Sequence, residues 1–183
     1  IEKHREAFNP AYAAMIESLD DTVGLLLKKL DQLGLSQKTI VIFTSDNGPE
    51  VAAEIGIGAY ERLRRFGHAS MGLWRGVKRD LWEGGHRVPF IVRWPGHVQP
   101  HTQTDQIGHI IDVLPTCLEL AGGKPLAELN GEKTKPLEGR SLAPIFRGET
   151  RAAPAELCWE WSGNGAIRRG QAGTGVEVNR SGS

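Results

Sequence analysis

The chain of 183 residues has little of several things, and each shortage excludes a class of protein. It has no net charge, since 22 Lys and Arg balance 22 Asp and Glu. No overall field therefore draws it to nucleic acid or to an anionic membrane. No apolar run approaches the roughly 18 residues needed to cross a bilayer, so no membrane span is expected. Cysteine occurs only at Cys117 and Cys158, too few and too isolated for a metal knuckle or a disulfide framework. Both are expected to be free, with Cys117 buried. Several mechanistic signatures are also absent: there is no G-x-S-x-G elbow, no H-E-x-x-H, no phosphate-binding P-loop and no G-x-G-x-x-G. Internal repeats are absent too. Ser45 and Ser70 have no Ser-His-Asp arrangement around them.

Glycine is plentiful, with 23 residues, and points to extensive loops between few regular elements. The first element is a helix over Pro10–Leu33, because Tyr12, Ile16, Leu19, Val23, Leu26, Leu30 and Leu33 form one apolar stripe. Asn9-Pro10 starts it and Gly34 stops it. Residues Thr39–Thr44 (TIVIFT) are apolar without alternation, the pattern of a strand covered on both faces, as in a parallel sheet. The polar SDNGPE follows at the strand's C-terminal end, where open α/β sheets place ligands. Val51–Gly85 reads as mostly loop with a short helix around Tyr60–Arg65. A second buried strand is expected over Arg87–Trp94, then a helix capped by Asp112 and closed by Gly122-Gly123. A strand is expected around Glu156–Trp161, and the tail from Gly170 is polar and glycine-rich.

Asp46 and Asn47 are the strongest chemical candidates. A carboxylate and an amide oxygen side by side are hard ligands suited to Ca²⁺ or Mg²⁺, although the same residues also make a solvated turn. Lys78 lies in RGVKRDLWEGG among Arg75, Arg79 and Arg87. Its ammonium suits an oxygen of sulfate or phosphate; the bland alternative is a solubilising face. Trp74, Leu81 and Trp82 are interleaved with these charges and would pin the loop. Glu83 is expected to bond Lys78 or local backbone in a structural role, and Gly84 and Gly85 to sit where a Cβ would clash. His68 is a candidate for substrate contact or proton transfer. His86 is expected mainly to pack.

Four segments in order, YAAMIESLDDTVGLLLKKLDQLGLSQKTIVIFTSDNG, GLWRGVKRDLWEGGHRVPFIVRWPG, IDVLPTCLELAG and GRSLAPIFRG, resemble the second half of the arylsulfatase-like, formylglycine-dependent sulfatases of the alkaline phosphatase superfamily. CWEWSGNGAIRRG is similar to a late strand region of that family. The resemblance implies a partial alkaline phosphatase-like α/β sandwich, a mixed and mostly parallel sheet flanked by helices, with residues 1–125 in the catalytic domain and 126–183 in a partial C-terminal subdomain. It implies hydrolysis of sulfate esters by the hydrated aldehyde of formylglycine. Asp46 and Asn47 would be ligands of a divalent cation, calcium rather than magnesium, Lys78 would contact the sulfate, and His68 would line the pocket.

Neither cysteine lies in the C-x-P-S/A-R context needed for formylglycine. The nucleophile is therefore expected upstream of residue 1, in a missing N-terminal half, and this chain alone is expected to be inactive. Trp161 and Gly165 depart from the family's polar residues, and QAGTGVEV replaces its usual strand continuation. The resemblance further implies a small-molecule or saccharide sulfate ester as partner and an exported, periplasmic or extracellular location. A strand edge left unpaired would favour oligomers. The alternatives are a phosphoester hydrolase or phosphotransferase of the same superfamily, and a non-catalytic pseudoenzyme fragment.

Overall fold

The computed structural model describes residues 10–50, 74–152, 156–169 and the strand 176–180. Two compact units are present, one of residues 1–94, 158–167 and 176–183, the other of residues 95–157 and 168–175.

The first unit opens with helix α1, Pro10–Gln32. Its end is set by Gly34 at φ 67°, where Leu35 N–H donates to the Leu30 carbonyl (2.9 Å) and Gly34 N–H to that of Asp31 (3.0 Å). This is the Schellman arrangement, which satisfies carbonyls that the helix leaves open. The apolar stripe is present but only partly covered: α1 buries no residue, Val23 and Leu30 are half-buried, and Ile16, Leu19 and Leu26 are exposed. A short 3₁₀ turn, Ser36–Lys38, leads to strand β1, Val41–Thr44. The four-residue helix α2, Glu83–His86, precedes strand β2, Phe90–Arg93. Arg93 reaches back to Asp31 of α1 at 3.4 Å.

The expected mixed, mostly parallel sandwich is not what forms. β1 and β2 pair antiparallel, with Val41 opposite Arg93 and Thr44 opposite Phe90. Among the described residues the sheets are small, two of two strands and one of three. Nor are the strands buried on both faces, since Ile91 is 58% exposed and β1 is half-buried throughout. A continuous apolar run encodes a demand for cover, but strand direction depends on the neighbour, which one strand's composition does not specify. Antiparallel pairing has a direct consequence for the site. It sets the segment leaving β1 beside the segment entering β2.

The first unit also holds most of strands β5, Glu156–Trp161, and β6, Asn164–Arg169, with β7, Val176–Arg180, completing the three-stranded sheet. β5 and β6 form a hairpin whose two connecting residues, Ser162 (φ 49°) and Gly163 (φ 75°), both have positive φ, as the tightest twisted hairpin turns require. Only Ala166 of this sheet is buried among the residues whose side chains are described.

The second unit is organised around one carboxylate. A 3₁₀ turn, Ile110–Asp112, runs into helix α3, Val113–Leu120, which Gly122 (φ 68°) closes. Strands β3, Glu128–Leu129, and β4, Glu132–Lys133, form a short hairpin, and helix α4 spans Ala143–Phe146. Asp112 stands at the N-cap of α3, yet its side chain does not cap that helix. It accepts instead from His109 N–H (2.9 Å), Arg140 N–H (2.7 Å) and Arg151 Nη2 (3.1 Å). Arg151 also donates to the carbonyls of Ile107 (2.5 Å) and Arg140 (2.8 Å). Thr116, fully buried, donates to the Asp112 carbonyl and accepts from Leu142 N–H at 2.8 Å. Leu142, Ala143 and Phe146 supply the apolar part of this core. The two cysteines are free thiols, and Cys117 is exposed on α3 rather than buried as the sequence suggests.

Asp112 and Arg151 are only 6% and 7% exposed at their side chains, so removing one strands the other's charge. Asp112→Ala is expected to lower stability by about 3–5 kcal/mol, read in urea denaturation. A loss near that of an ordinary surface substitution would show that Asp112 does not organise the unit.

Candidate functional site

Directly after β1 the chain turns through Ser45, Asp46, Asn47 and Gly48. Ser45 Oγ donates to the Asn47 carbonyl and Asn47 Nδ2 to that of Gly48, both at 2.9 Å. With its amide nitrogen engaged, Asn47 keeps its side-chain oxygen for acceptor or ligand duty. Asp46 is exposed and Asn47 half-buried. The two oxygens lie on consecutive residues at the mouth of a strand, and their hard-donor chemistry fits a share of a Ca²⁺ site. They could be no more than a share, because such ions take six to eight oxygens. Among the described residues no group of three or more His, Cys, Asp or Glu is gathered to hold a metal.

The loop entering β2 is fastened to this turn by backbone. Gly48 N–H donates to the Gly85 carbonyl (2.7 Å) and Lys78 N–H to the Pro49 carbonyl (2.9 Å). The approach is so close that side chains are excluded. A Cβ on Gly48 would fall far inside contact distance of the Gly84 carbonyl oxygen, and one on Gly84 would meet the Gly76 and Arg75 carbonyls. Gly84 N–H donates to Arg75 O, and Gly85 N–H to Trp82 O, both at 2.7 Å. Only glycine permits backbone layers this near.

The cationic loop is pinned by its aromatics. The Arg75 guanidinium lies 4.2 Å from the centre of the Trp82 ring, and that of Arg87 4.1 Å from the Trp74 ring. Such contacts hold a cation by the ring's quadrupole while leaving its outer face wet. Glu83 receives Arg87 Nη1 at 3.2 Å in a structural pair. His86 stacks on Trp159 of β5, with centroids 4.4 Å apart and planes 11° from parallel. His68 lies outside the described residues, as does the short helix expected around Tyr60–Arg65.

Sequence reasoning did not single out Glu50, which is the ion partner of Lys78. Glu50 Oε2 lies 3.3 Å from Lys78 Nζ, and its Oε1 2.7 Å from Arg79 Nη1. The available signal was an acid at the far end of SDNGPE opposite a loop rich in cations. In the sequence Arg79 is one more cation of the loop, but its φ of 73° is left-handed, a cost that non-glycine residues rarely bear. Partial desolvation works to raise the Glu50 pKa. Hydrogen bonds from Lys78 and Arg79, together with their positive charges, outweigh it and hold the carboxyl below its ordinary 4.5.

A carboxyl with a depressed pKa stabilises the fold fully above its ordinary value and loses that contribution as pH falls through the depressed one. The melting temperature of wild type should therefore exceed that of Glu50→Gln at neutral pH. The gap should close as pH drops well below 4.5. A gap unchanged down to acid pH would mean that the ion pairs contribute nothing.

A sulfatase family model matches residues 3–123, which include the Asp46 turn and the whole Lys78 loop. Steryl-sulfatase of Mus musculus is 40% identical over 151 residues, covering 82% of this chain and 22% of its own length. N-acetylgalactosamine-6-O-sulfatase of Bacteroides thetaiotaomicron is 48% identical over 89 residues, 49% of this chain and 17% of its own length. Among solved structures, BT33336S-sulf, from glycosaminoglycan metabolism in Bacteroides thetaiotaomicron, superposes with a TM-score of 0.65 at 32% identity. That superposition covers 83% of this chain and 30% of the other. The chain thus spans between a fifth and a quarter of the steryl-sulfatases it matches, 22% in the mouse protein and 25% in the rat. With its match running through both segments of the site, the chain belongs to the sulfatase family.

Proposed function

We propose that this chain contributes the cation-binding turn and the sulfate-contacting lysine to a sulfuric ester hydrolase whose remaining parts belong to a longer protein. The reaction is R–O–SO₃⁻ plus water giving R–OH, sulfate and a proton. The observation that carries the reading is the backbone seam, because it fastens the Lys78 loop to the turn bearing Asp46 and Asn47. Calcium, and a formylglycine elsewhere in the protein, would supply charge neutralisation and the attack on sulfur. Within this chain Asp46 and Asn47 present oxygens to the cation, and the Lys78 ammonium takes a sulfuryl oxygen. Two positive groups converging on one anion stabilise the charge that shifts in the transition state. His68 is proposed as a further substrate contact.

The exposed stripe of α1, with Ile16, Leu19 and Leu26, supports the view that further residues of a sulfatase chain cover this face. The preference for sulfate over phosphate rests on Asn47 beside Asp46, a pair suited to a single hard cation.

The test is hydrolysis of matched aryl sulfate and aryl phosphate esters by the intact protein. Lys78→Ala is expected to lower kcat/KM for the sulfate about 10²–10³-fold, comparable to loss of one preorganised electrostatic group. Asp46→Ala should abolish the response to added calcium, and the 183-residue chain alone should show no turnover. Turnover by the isolated chain, or faster hydrolysis of the phosphate ester, would overturn the proposal.

A further inference from the structure

Two consecutive side chains in an extended chain point to opposite faces. Lys78 and Arg79 do not, for both heads meet the same carboxylate. The cause is a tight turn over Val77–Asp80. Asp80 N–H donates to the Val77 carbonyl at 2.9 Å, Val77 N–H donates to Asp80 Oδ2 at 3.0 Å, and Arg79 takes the left-handed conformation at the third position. Glycine would adopt that conformation freely; arginine does so at a cost. Something must hold it there, and Glu50 Oε1 is the group on its guanidinium.

We propose that Glu50 is a positioning residue for sulfate binding: its carboxylate fixes the ammonium of Lys78 at the cation-binding turn, while Arg79 neutralises that carboxylate so that it does not repel the anion. The inference rests on the reading of Lys78 as the sulfate contact.

A lysine head on four methylenes pays rotameric entropy when it closes on an anion, and prior ordering removes part of that cost. Of its three donors, one satisfies Glu50 and two stay available. A lone carboxylate this close to an incoming sulfate would oppose it. Here Glu50 faces Lys78 Nζ and Arg79 Nη1, and the shorter contact, 2.7 Å, belongs to Arg79. Charge cancels between Glu50 and Arg79, so ordering is the effect that survives. Glu50 is 39% exposed at its side chain and stands three residues beyond Asn47, so Glu50→Gln removes its charge without altering either cation ligand, and the melts report what the turn loses.

The experiment is calorimetric titration of the calcium-loaded intact protein with inorganic sulfate, a readout that does not require turnover. Wild type, Glu50→Gln, Lys78→Ala and the double variant are compared, with thermal melts confirming that each is folded. Glu50→Gln is expected to weaken sulfate about 5-fold in the wild-type background and less than about 2-fold in the Lys78→Ala background, the non-additivity of residues acting as one unit. Unchanged or tighter sulfate binding in Glu50→Gln overturns the proposal, as does an equal loss in both backgrounds. Unchanged binding in Lys78→Ala is a separate outcome. It removes the sulfate-contact reading of Lys78, and this inference with it.

Discussion

Backbone packed against backbone, with no side chain between, is the constraint on which the candidate site depends. Gly48 N–H reaches the Gly85 carbonyl where a Cβ on Gly48 would strike the Gly84 carbonyl, while Cβ atoms on Gly84 and Gly85 would strike carbonyls of their own loop at Gly76 and Asp80. That seam converts two stretches far apart in sequence into one surface. On one side of it stand the oxygens of Asp46 and Asn47, on the other the ammonium of Lys78. Neither group holds the other directly, so their relation is transmitted through main-chain hydrogen bonds and the Glu50 ion pairs. Around the seam, the stacked arginines on Trp74 and Trp82 keep a strongly cationic loop from swinging into solvent.

Much of this was legible in the sequence, and the reasons differ by element. α1 was readable because its apolar spacing and Gly34 stop signal are local, and its observed end falls one residue before the expected Leu33. The strand cores were readable from their β-branched composition. Their pairing direction was not, because it belongs to a relation between β1 and β2 rather than to either run. The antiparallel outcome, missed at that level, is what brings the turn after β1 against the loop before β2. Asp112 illustrates a different failure. The sequence offers it as a helix cap, but three competing donors, two backbone N–H groups and the Arg151 guanidinium, take the carboxylate elsewhere. The Glu50 contact with Lys78 joins residues 28 positions apart, and no local signal ranks one acid above another as the partner of a given lysine.

The two units differ in how they satisfy themselves. The unit around Asp112 closes on its own polar network, with the Thr116 hydroxyl and the Arg151 guanidinium meeting carbonyls and amides that would otherwise be stranded. The unit carrying the candidate site buries no residue of α1 and leaves Ile91 of β2 exposed. The candidate site's two segments are joined by main-chain bonds, from Gly48 to Gly85 and from Lys78 to Pro49.

The most direct measurement is therefore a methyl group placed in that seam. In intact protein carrying Gly48→Ala and still melting cooperatively, calcium and sulfate affinities are measured on the same sample. A new Cβ against the Gly84 carbonyl pushes the turn and the loop apart, so both affinities should fall together. Retention of both at wild-type strength, or loss of one alone, would contradict the view that this backbone contact joins the two halves of the site.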